Sequence, residues 1–180
     1  EENILGPRGQ GFIIAQRRLG PGRIFHCMRW LGQAQRAFDL MCRRLHEREA
    51  FGTLLAEKQL MQKFVFDSTC EIQASRQLTL DAAKRIDKGD DARIEIGLIK
   101  VVGAQMVHNV IDRAIQVYGA KGLTDDTPLS AMYRHAREAR IYDGPDEVHI
   151  QSVARRILKN YQDNGAGWDF GERDAYLETN

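Results

Sequence analysis

Cysteine is scarce in this sequence, and its pattern argues against the cysteine-dependent classes of domain. The three cysteines, Cys27, Cys42 and Cys70, are well separated, and none lies in a C-x-x-C pair. An odd number of separated cysteines argues against a secreted domain that is held together by disulfides. We therefore expect reduced thiols that are partly buried in helices.

Net charge is also almost absent, which argues against partners that are recognised by charge. Lysine and arginine number 26 against 25 aspartate and glutamate residues, so the formal net charge is +1. A field this weak does not by itself recruit nucleic acid or an anionic membrane. We see no apolar run long enough to span a bilayer and expect no membrane-spanning segment. His149 has no second histidine or cysteine four residues away, so we expect a hydrogen-bonded or solvent-facing side chain and no metal site.

Strand patterning is missing as well, and helical periodicity occupies most of the chain. No stretch of any length alternates polar and apolar residues, whereas apolar residues recur every three or four positions. The pattern predicts a short helix over Phe12–Leu19, a break at Gly20-Pro21-Gly22, and helices over Arg23–Arg48, Leu54–Lys88, Ala92–Tyr118, Pro128–Glu138 and Pro145–Tyr161. The fold class is therefore all-α, a four-helix bundle-like domain with short extra helices.

Two of the long helices have patterns that place them within the bundle. The helix over 92–118 is apolar on most faces, as is typical of a central helix. The helix before it has a seam of apolar and small residues at spacings of four and three, which predicts packing at a shallow angle. The seam consists of Met61, Val65, Ser68, Ile72, Ser75, Thr79, Ala82 and Ile86.

Two glycine-containing stretches could serve either a site or a helix end. In the first, Arg48 precedes Phe51-Gly52 and Gln59; in the second, Gln116 precedes a loop with glycine at 119 and 122. A favourable charge at a helix end and turn glycines account for both stretches. Glycines in such a loop would also let backbone amides approach a phosphate.

A third stretch, RIYDGPDEVHIQSVARRI at 140–157, poses the sharpest question of the sequence. Asp143 stands directly before Gly144-Pro145 and the start of a predicted helix. One interpretation is an N-cap for that helix, with Glu147 in its first turn. The other is an acid that takes part in chemistry, and local pattern alone leaves both open.

Taken in order, these pieces resemble the C-terminal half of the acyl-CoA dehydrogenases. The family has E-N-x-L-G-x-x-G-x-G-F, then R-x-x-F-G followed by glutamine, then Q-x-x-G-G-x-G, and last a Y-E-G-T catalytic motif. The matching residues are Glu2, Asn3, Leu5, Gly6, Gly9, Gly11 and Phe12; Arg48, Phe51, Gly52 and Gln59; Gln116, Gly119 and Gly122; and Tyr142-Asp143-Gly144-Pro145. The resemblance reaches as far as Tyr161. The DGPDEVH form is similar to a branch that includes long-chain members fused to kinase-like domains in animals, and their bacterial relatives.

The resemblance implies a domain division and an activity. Residues 1–11 would end a middle β-domain, residues 12–163 would form the C-terminal helical domain, and residues 164–180 would form an irregular tail. The implied reaction is FAD-dependent α,β-dehydrogenation of an acyl-CoA thioester, as in fatty acid β-oxidation. By position Asp143 is the base for the α proton, where most members have glutamate, which is longer by roughly 1.5 Å. Some members place the base on the early helix instead, and the corresponding residue here is Gly22, which has no carboxylate.

Contacts with cofactor and substrate are implied in the same way. Contacts with FAD are implied for Arg48, Phe51, Gln59, Gln116, Gly119, Gly144, Pro145, Asp146 and Glu147, and contacts with the acyl-CoA substrate for Arg23 and Tyr142. In this family the first three often contact the FAD of a neighbouring subunit. The chain departs from the family pattern at Ala50, Ala120 and Pro145, which replace a hydroxyl residue, a glycine and a threonine.

Partners and compartment follow from the family as well. An electron-transfer flavoprotein or a similar acceptor is the implied redox partner, and a homodimer or homotetramer is the implied assembly. The chain lacks a signal peptide and an initiator methionine, so we expect part of a longer protein and no activity from this chain alone. The implied compartment is mitochondrial or peroxisomal in a eukaryote and cytoplasmic in a bacterium. The alternative, from another functional class, is a helical assembly module that lacks a complete flavin site and catalyses nothing.

Overall fold

A computed structural model describes residues 3–164, which form an all-α domain. Five α-helices account for most of these residues: α1 (Gly11–Glu47), α2 (Gln59–Asp87), α3 (Arg93–Tyr118), α4 (Leu129–Glu138) and α5 (Asp146–Asn164). Two-residue strands, β1 (Glu49–Ala50) and β2 (Thr53–Leu54), form a small antiparallel hairpin, and 3₁₀ turns lie at Leu55–Glu57 and Gly119–Leu123. The predicted all-α class is confirmed; the predicted tail at 164–180 lies almost entirely outside the described residues.

Helix α3 is the central element, as its pattern predicts. It packs against α1, α2, α4 and α5, and most of its residues are buried. The stretch Arg93–Leu123 is, by length and composition alone, apolar enough to cross a membrane, and 67% of its apolar window is buried inside the domain. By length and composition this stretch is an exception to the expectation that no apolar run is long enough to span a bilayer, but its apolar faces form the core of the domain.

The seam of α2 is confirmed in its central part. Ser68, Ile72, Ser75, Thr79 and Ala82 are buried, and Met61, Val65 and Ile86 at the two ends are half-buried. Thr79 Oγ1 donates to the carbonyl of Ser75 at 2.7 Å, which satisfies a hydroxyl inside the core.

The predicted break at Gly20-Pro21-Gly22 was wrong, because α1 is continuous through Pro21. Proline inside a helix removes one hydrogen bond and crowds the preceding turn. Here tertiary packing opposes that local cost: a Cβ at Gly20 would lie 3.8 Å from Ile96 Cδ1 of α3, so the helix backbone passes close to the core at this point.

The start of α2 was also misplaced, since it begins at Gln59 and not at Leu54. The intervening residues form the β1–β2 hairpin, in which Phe51 has φ 53° and Gly52 has φ 77°. Positive φ at both central residues is what a type I′ hairpin turn requires. Strands of two residues are too short to give an alternating pattern, so periodicity did not reveal them.

Candidate active site

Asp143 lies in the turn between α4 and α5, and its backbone is held by both α1 and α5. Its φ is 55°, in the left-handed region that aspartate tolerates better than most residues. The Asp143 carbonyl accepts from Arg23 Nε at 3.2 Å and Arg23 Nη2 at 2.9 Å. It also accepts from His149 Nε2 at 3.1 Å. Two helices distant in sequence therefore fix this one peptide, which makes its position well determined.

The Asp143 carboxylate contacts a histidine of α1 and does not cap α5. Its Oδ2 lies 2.7 Å from His26 Nε2, with the two side chains 28% and 21% exposed. At the start of α5 the Asp146 amide instead donates to the Arg140 carbonyl at 3.3 Å. Within residues 3–164 the carboxylate has no hydrogen bond to an amide of α5, so the N-cap interpretation lacks the contact on which it depends.

Beneath this pair lies a group of aromatic rings with a buried cation. Trp30 Nε1 donates to Tyr142 Oη at 3.1 Å, and the His26 ring lies 5.8 Å from Trp30 and 5.2 Å from Tyr142 between centroids. Lys100 is fully buried, and its Nζ lies 5.7 Å and 5.8 Å from the Trp30 and Tyr142 rings. These distances are within the range of cation–π contacts.

Lys100 also ties the end of α4 to α3, because its Nζ donates to the Ala139 carbonyl at 2.6 Å. Burial lowers the pKa of Lys100, and the nearby carboxylate of Asp146 acts in the opposite direction. Burial likewise raises the pKa of Tyr142, with the hydrogen bond from Trp30 opposing it. The floor of the site is thus a poorly hydrated layer that the α4–α5 turn covers.

Gly144 and Asp146 shape the turn itself. Gly144 has φ 101°, and a Cβ there would lie 2.7 Å from His149 Nε2, so only glycine fits. Asp146 is 3% exposed; its Oδ2 accepts from Arg140 Nε at 2.7 Å and lies 3.5 Å from Gln105 Nε2. Its carboxylate therefore lies inside the domain, whereas Pro145 and Glu147 are exposed. Contacts of these residues with FAD stay predictions.

The hairpin end holds the second group of sequence-predicted residues. Arg48, Phe51 and Gln59 are all exposed, and the Phe51 side chain is 100% exposed. Phe51 is unfavourable for two reasons: its apolar ring is exposed to water, and its backbone has a positive φ, which is strained for a residue with a side chain. Such strain is concentrated at functional positions, which suits a contact with a group outside this chain.

Gln116 and Gly119 lie near that hairpin and far from Asp143. Both residues are exposed at the end of α3, and Gly119 has φ 64°. The guanidinium of Arg44 lies 5.5 Å from the Tyr118 ring centroid, which places the end of α3 beside the end of α1. At the α-helical rise, Arg23 and Arg48 are separated by roughly 37 Å along α1. The structure therefore brings the sequence-predicted residues into two clusters, one beside the middle of α1 and the other at its C-terminal end.

Sequence reasoning missed several residues of the Asp143 cluster. His26 follows Arg23 by three positions, so the two share one helix face, and this spacing was an available signal. Lys100 is a single lysine in an otherwise apolar stretch, which a search for buried charges would have found. Trp30 and Arg140 gave no such signal. Within residues 3–164 no group of three histidine, cysteine, aspartate or glutamate side chains could hold a metal ion.

Comparison with known proteins gives consistent matches over this region. A family model described as "Acyl-CoA dehydrogenase, C-terminal domain" matches residues 9–158. The Mycobacterium tuberculosis protein named "Probable acyl-CoA dehydrogenase FadE2" is 52% identical over 158 residues, covering 87% of this chain and 39% of that protein. Mouse (Mus musculus) "Acyl-CoA dehydrogenase family member 10" is 48% identical over 162 residues, covering 89% of this chain and 15% of that protein.

A solved structure gives the same match in three dimensions. The fold superimposes on butyryl-CoA dehydrogenase of Megasphaera elsdenii with a TM-score of 0.83 at 29% identity, covering 87% of this chain and 41% of that one. The chain thus spans less than half the length of each of these proteins.

Proposed function

The chain belongs to the acyl-CoA dehydrogenase family, whose C-terminal domain it forms, and from this premise we propose a specific reaction for the intact protein. The intact protein is an FAD-dependent dehydrogenase that introduces an α,β double bond into an acyl-CoA thioester of fatty acid oxidation. Asp143 is the base that removes the α proton. The observation that carries the proposal is a partly exposed carboxylate on a backbone that three hydrogen bonds hold in place.

The chemistry requires a base and a way to make the α proton acidic. The α proton becomes acidic when hydrogen-bond donors polarise the thioester carbonyl. Within residues 3–164 the Asp143 backbone N–H has no acceptor, so it is available to donate to that carbonyl. The α proton passes to Oδ1 of Asp143 while Oδ2 stays bonded to His26. FAD, when bound, accepts the β hydrogen as hydride.

The exposed residues of the chain fit parts of a flavin nucleotide. Arg48 and Gln116 offer guanidinium and amide donors of the kind that bind phosphate and ribose oxygens. Phe51 offers an aromatic surface that nothing in the described chain covers. These residues would hold the cofactor by charge, hydrogen bonding and ring contact.

The separation of the two clusters supports a shared site between subunits. One cluster lies at Asp143 and the other at the hairpin, roughly 37 Å apart along α1 by helical rise. The Asp143 cluster serves the FAD of its own subunit, and the hairpin cluster serves the FAD of a neighbour. A homodimer or homotetramer would bring the two clusters of different subunits to one cofactor. An electron-transfer flavoprotein or a similar acceptor would be the redox partner of the intact protein.

Substitution of Asp143 tests the proposal directly. Asp143→Asn keeps the shape of the side chain and any capping ability but cannot take the proton. In the intact protein we expect flavin bleaching with excess acyl-CoA to slow by several powers of ten in single turnover, with bound flavin and melting temperature unchanged. Asp126→Asn, at an exposed aspartate outside the site, is the matched control.

Asp143→Glu measures how far the site is adapted to aspartate. Glutamate is longer by roughly 1.5 Å, and a misplacement of this order costs about 10²-fold in rate when the backbone is fixed. We expect slower bleaching than in the wild type. Near wild-type bleaching by Asp143→Asn would remove Asp143 from the chemistry and favour a non-catalytic assembly role for its cluster.

A further inference from the structure

We infer that His26 is a positioning residue for the Asp143 base: its neutral imidazole donates from Nε2 to Asp143 Oδ2 and leaves Oδ1 to take the substrate proton. This inference rests on the proposed function, since it assigns a helper to the proposed base. His26 comes from α1 and Asp143 from the α4–α5 turn, and their contact of 2.7 Å links elements more than a hundred residues apart in the chain.

The neighbours of His26 determine which of its nitrogens carries the proton. Arg29 Nη2 lies in hydrogen-bonding contact with His26 Nδ1. A guanidinium can only donate, so Nδ1 must accept and therefore carries no hydrogen. In the neutral ring the hydrogen is then on Nε2, which is the atom that faces Asp143 Oδ2. A neutral donor and an ionised acceptor form a charge-assisted hydrogen bond.

The groups around the ring favour this neutral state. Burial lowers the pKa of His26 most, Arg29 on α1 lowers it further, and Lys100 on α3 acts in the same direction. The hydrogen bond and charge of Asp143 act against them. The Tyr142 ring lies 5.2 Å from the His26 ring between centroids, and its raised pKa keeps its phenol neutral. His26 is thus a neutral donor at physiological pH.

The ring is also fixed in orientation, which a positioning residue must be. It stacks on Trp30 at an interplanar angle of 21°, while Tyr142 packs against it at 50°. Trp30 and Tyr142 are themselves joined by a hydrogen bond of 3.1 Å. A base held at one oxygen by a rigid donor loses the freedom to rotate about its own side-chain bonds. This restraint matters more for aspartate here, because its backbone is already pinned and its reach is short.

The test uses the intact, flavin-loaded protein with three variants. His26→Leu removes the donor, His26→Gln keeps an N–H at similar reach, and His135→Leu removes a histidine from an exposed pair in which Nδ1 lies 3.7 Å from Glu138. The measurement is the rate of flavin bleaching by acyl-CoA in single turnover as a function of pH.

We expect His26→Leu to bleach about tenfold more slowly at its pH plateau, because hydrogen bonds to charged groups contribute at that scale. The acidic limb of its profile should also move to higher pH, since the carboxylate loses a donor. His26→Gln should stay within about threefold of the wild type with the limb in place. His135→Leu should match the wild type.

A readout that is independent of activity comes from ¹⁵N-histidine NMR of the apoprotein, with the His26 signal assigned by its loss in His26→Gln. A neutral ring with the hydrogen on Nε2 at pH 7 supports the inference, whereas a hydrogen on Nδ1 or a charged ring overturns it. This result does not depend on whether His26→Leu folds. A His26→Leu profile identical to the wild type also overturns it. If Asp143→Asn loses flavin bleaching while His26→Leu does not, only the role assigned to His26 is wrong. If Asp143→Asn bleaches the flavin at the wild-type rate, the roles assigned to Asp143 and to His26 are both wrong.

Discussion

Replacing Gly144 by alanine should destabilise the domain through one specific collision. The new Cβ would lie 2.7 Å from His149 Nε2 and 3.3 Å from its Cδ2. His149 is 8% exposed and donates to the Asp143 carbonyl, so its ring has little room to move without losing that bond. The substitution also places a side chain at φ 101°.

Gly89→Ala separates the backbone cost from the collision. Gly89 has φ 86°, and a Cβ there meets nothing within 4 Å. Alanine at such a φ costs about 1–2 kcal/mol, which both variants share. The collision adds about 1–3 kcal/mol at Gly144 alone, the usual cost of overpacking. We therefore expect Gly144→Ala to lower the free energy of unfolding by about 2–5 kcal/mol in total.

The assay is urea unfolding of the 180-residue chain followed by circular dichroism, at one protein concentration for all variants. Combining Gly144→Ala with His149→Ala completes a double-mutant cycle, in which the extra cost at Gly144 should disappear. Equal destabilisation by Gly144→Ala and Gly89→Ala would refute the reasoning. So would an unchanged cost of Gly144→Ala when His149 is alanine.

Two further predictions concern the hairpin and the acid side of the stability profile. Phe51→Asn should raise the free energy of unfolding of the isolated chain by about 1 kcal/mol, because asparagine suits a type I′ turn, and it should weaken FAD retention in the intact protein. Urea unfolding measures the first effect, and flavin content after gel filtration measures the second. If stability and FAD retention both increased or both decreased, the assignment of Phe51 would be contradicted. Burial lowers the pKa of His149 below 6.5, with its hydrogen bond to the Asp143 carbonyl opposing. Below pH 6.5 the unfolded chain therefore binds more protons at this site than the folded chain, so the free energy of unfolding decreases as the pH is lowered, by at most about 1.4 kcal/mol per pH unit. Urea unfolding at pH 7.5 and 5.5 should show a shallower loss for His149→Gln, and equal losses would exclude His149 as a cause.

The sequence by itself determined the helical class and the order of the motifs. Apolar spacing along α2 and the apolar faces of α3 were sufficient because helix burial follows local periodicity. The order of the motifs along the chain indicated the family, and the place of Asp143 in the last motif indicated the candidate base. Each of these properties is carried by residues that are close in the chain.

Tertiary structure alone decided what surrounds the candidate base Asp143. The break at Pro21 was predicted from local cost, but α1 is continuous there, and its backbone at Gly20 passes close to Ile96 of α3. The choice between cap and site at Asp143 depends on Arg23 and His26, which no local pattern can relate to it, since Arg23 and Asp143 are 120 residues apart. Helices α1, α4 and α5 all pack against α3, and burial of its apolar surface holds α1 beside the α4–α5 turn.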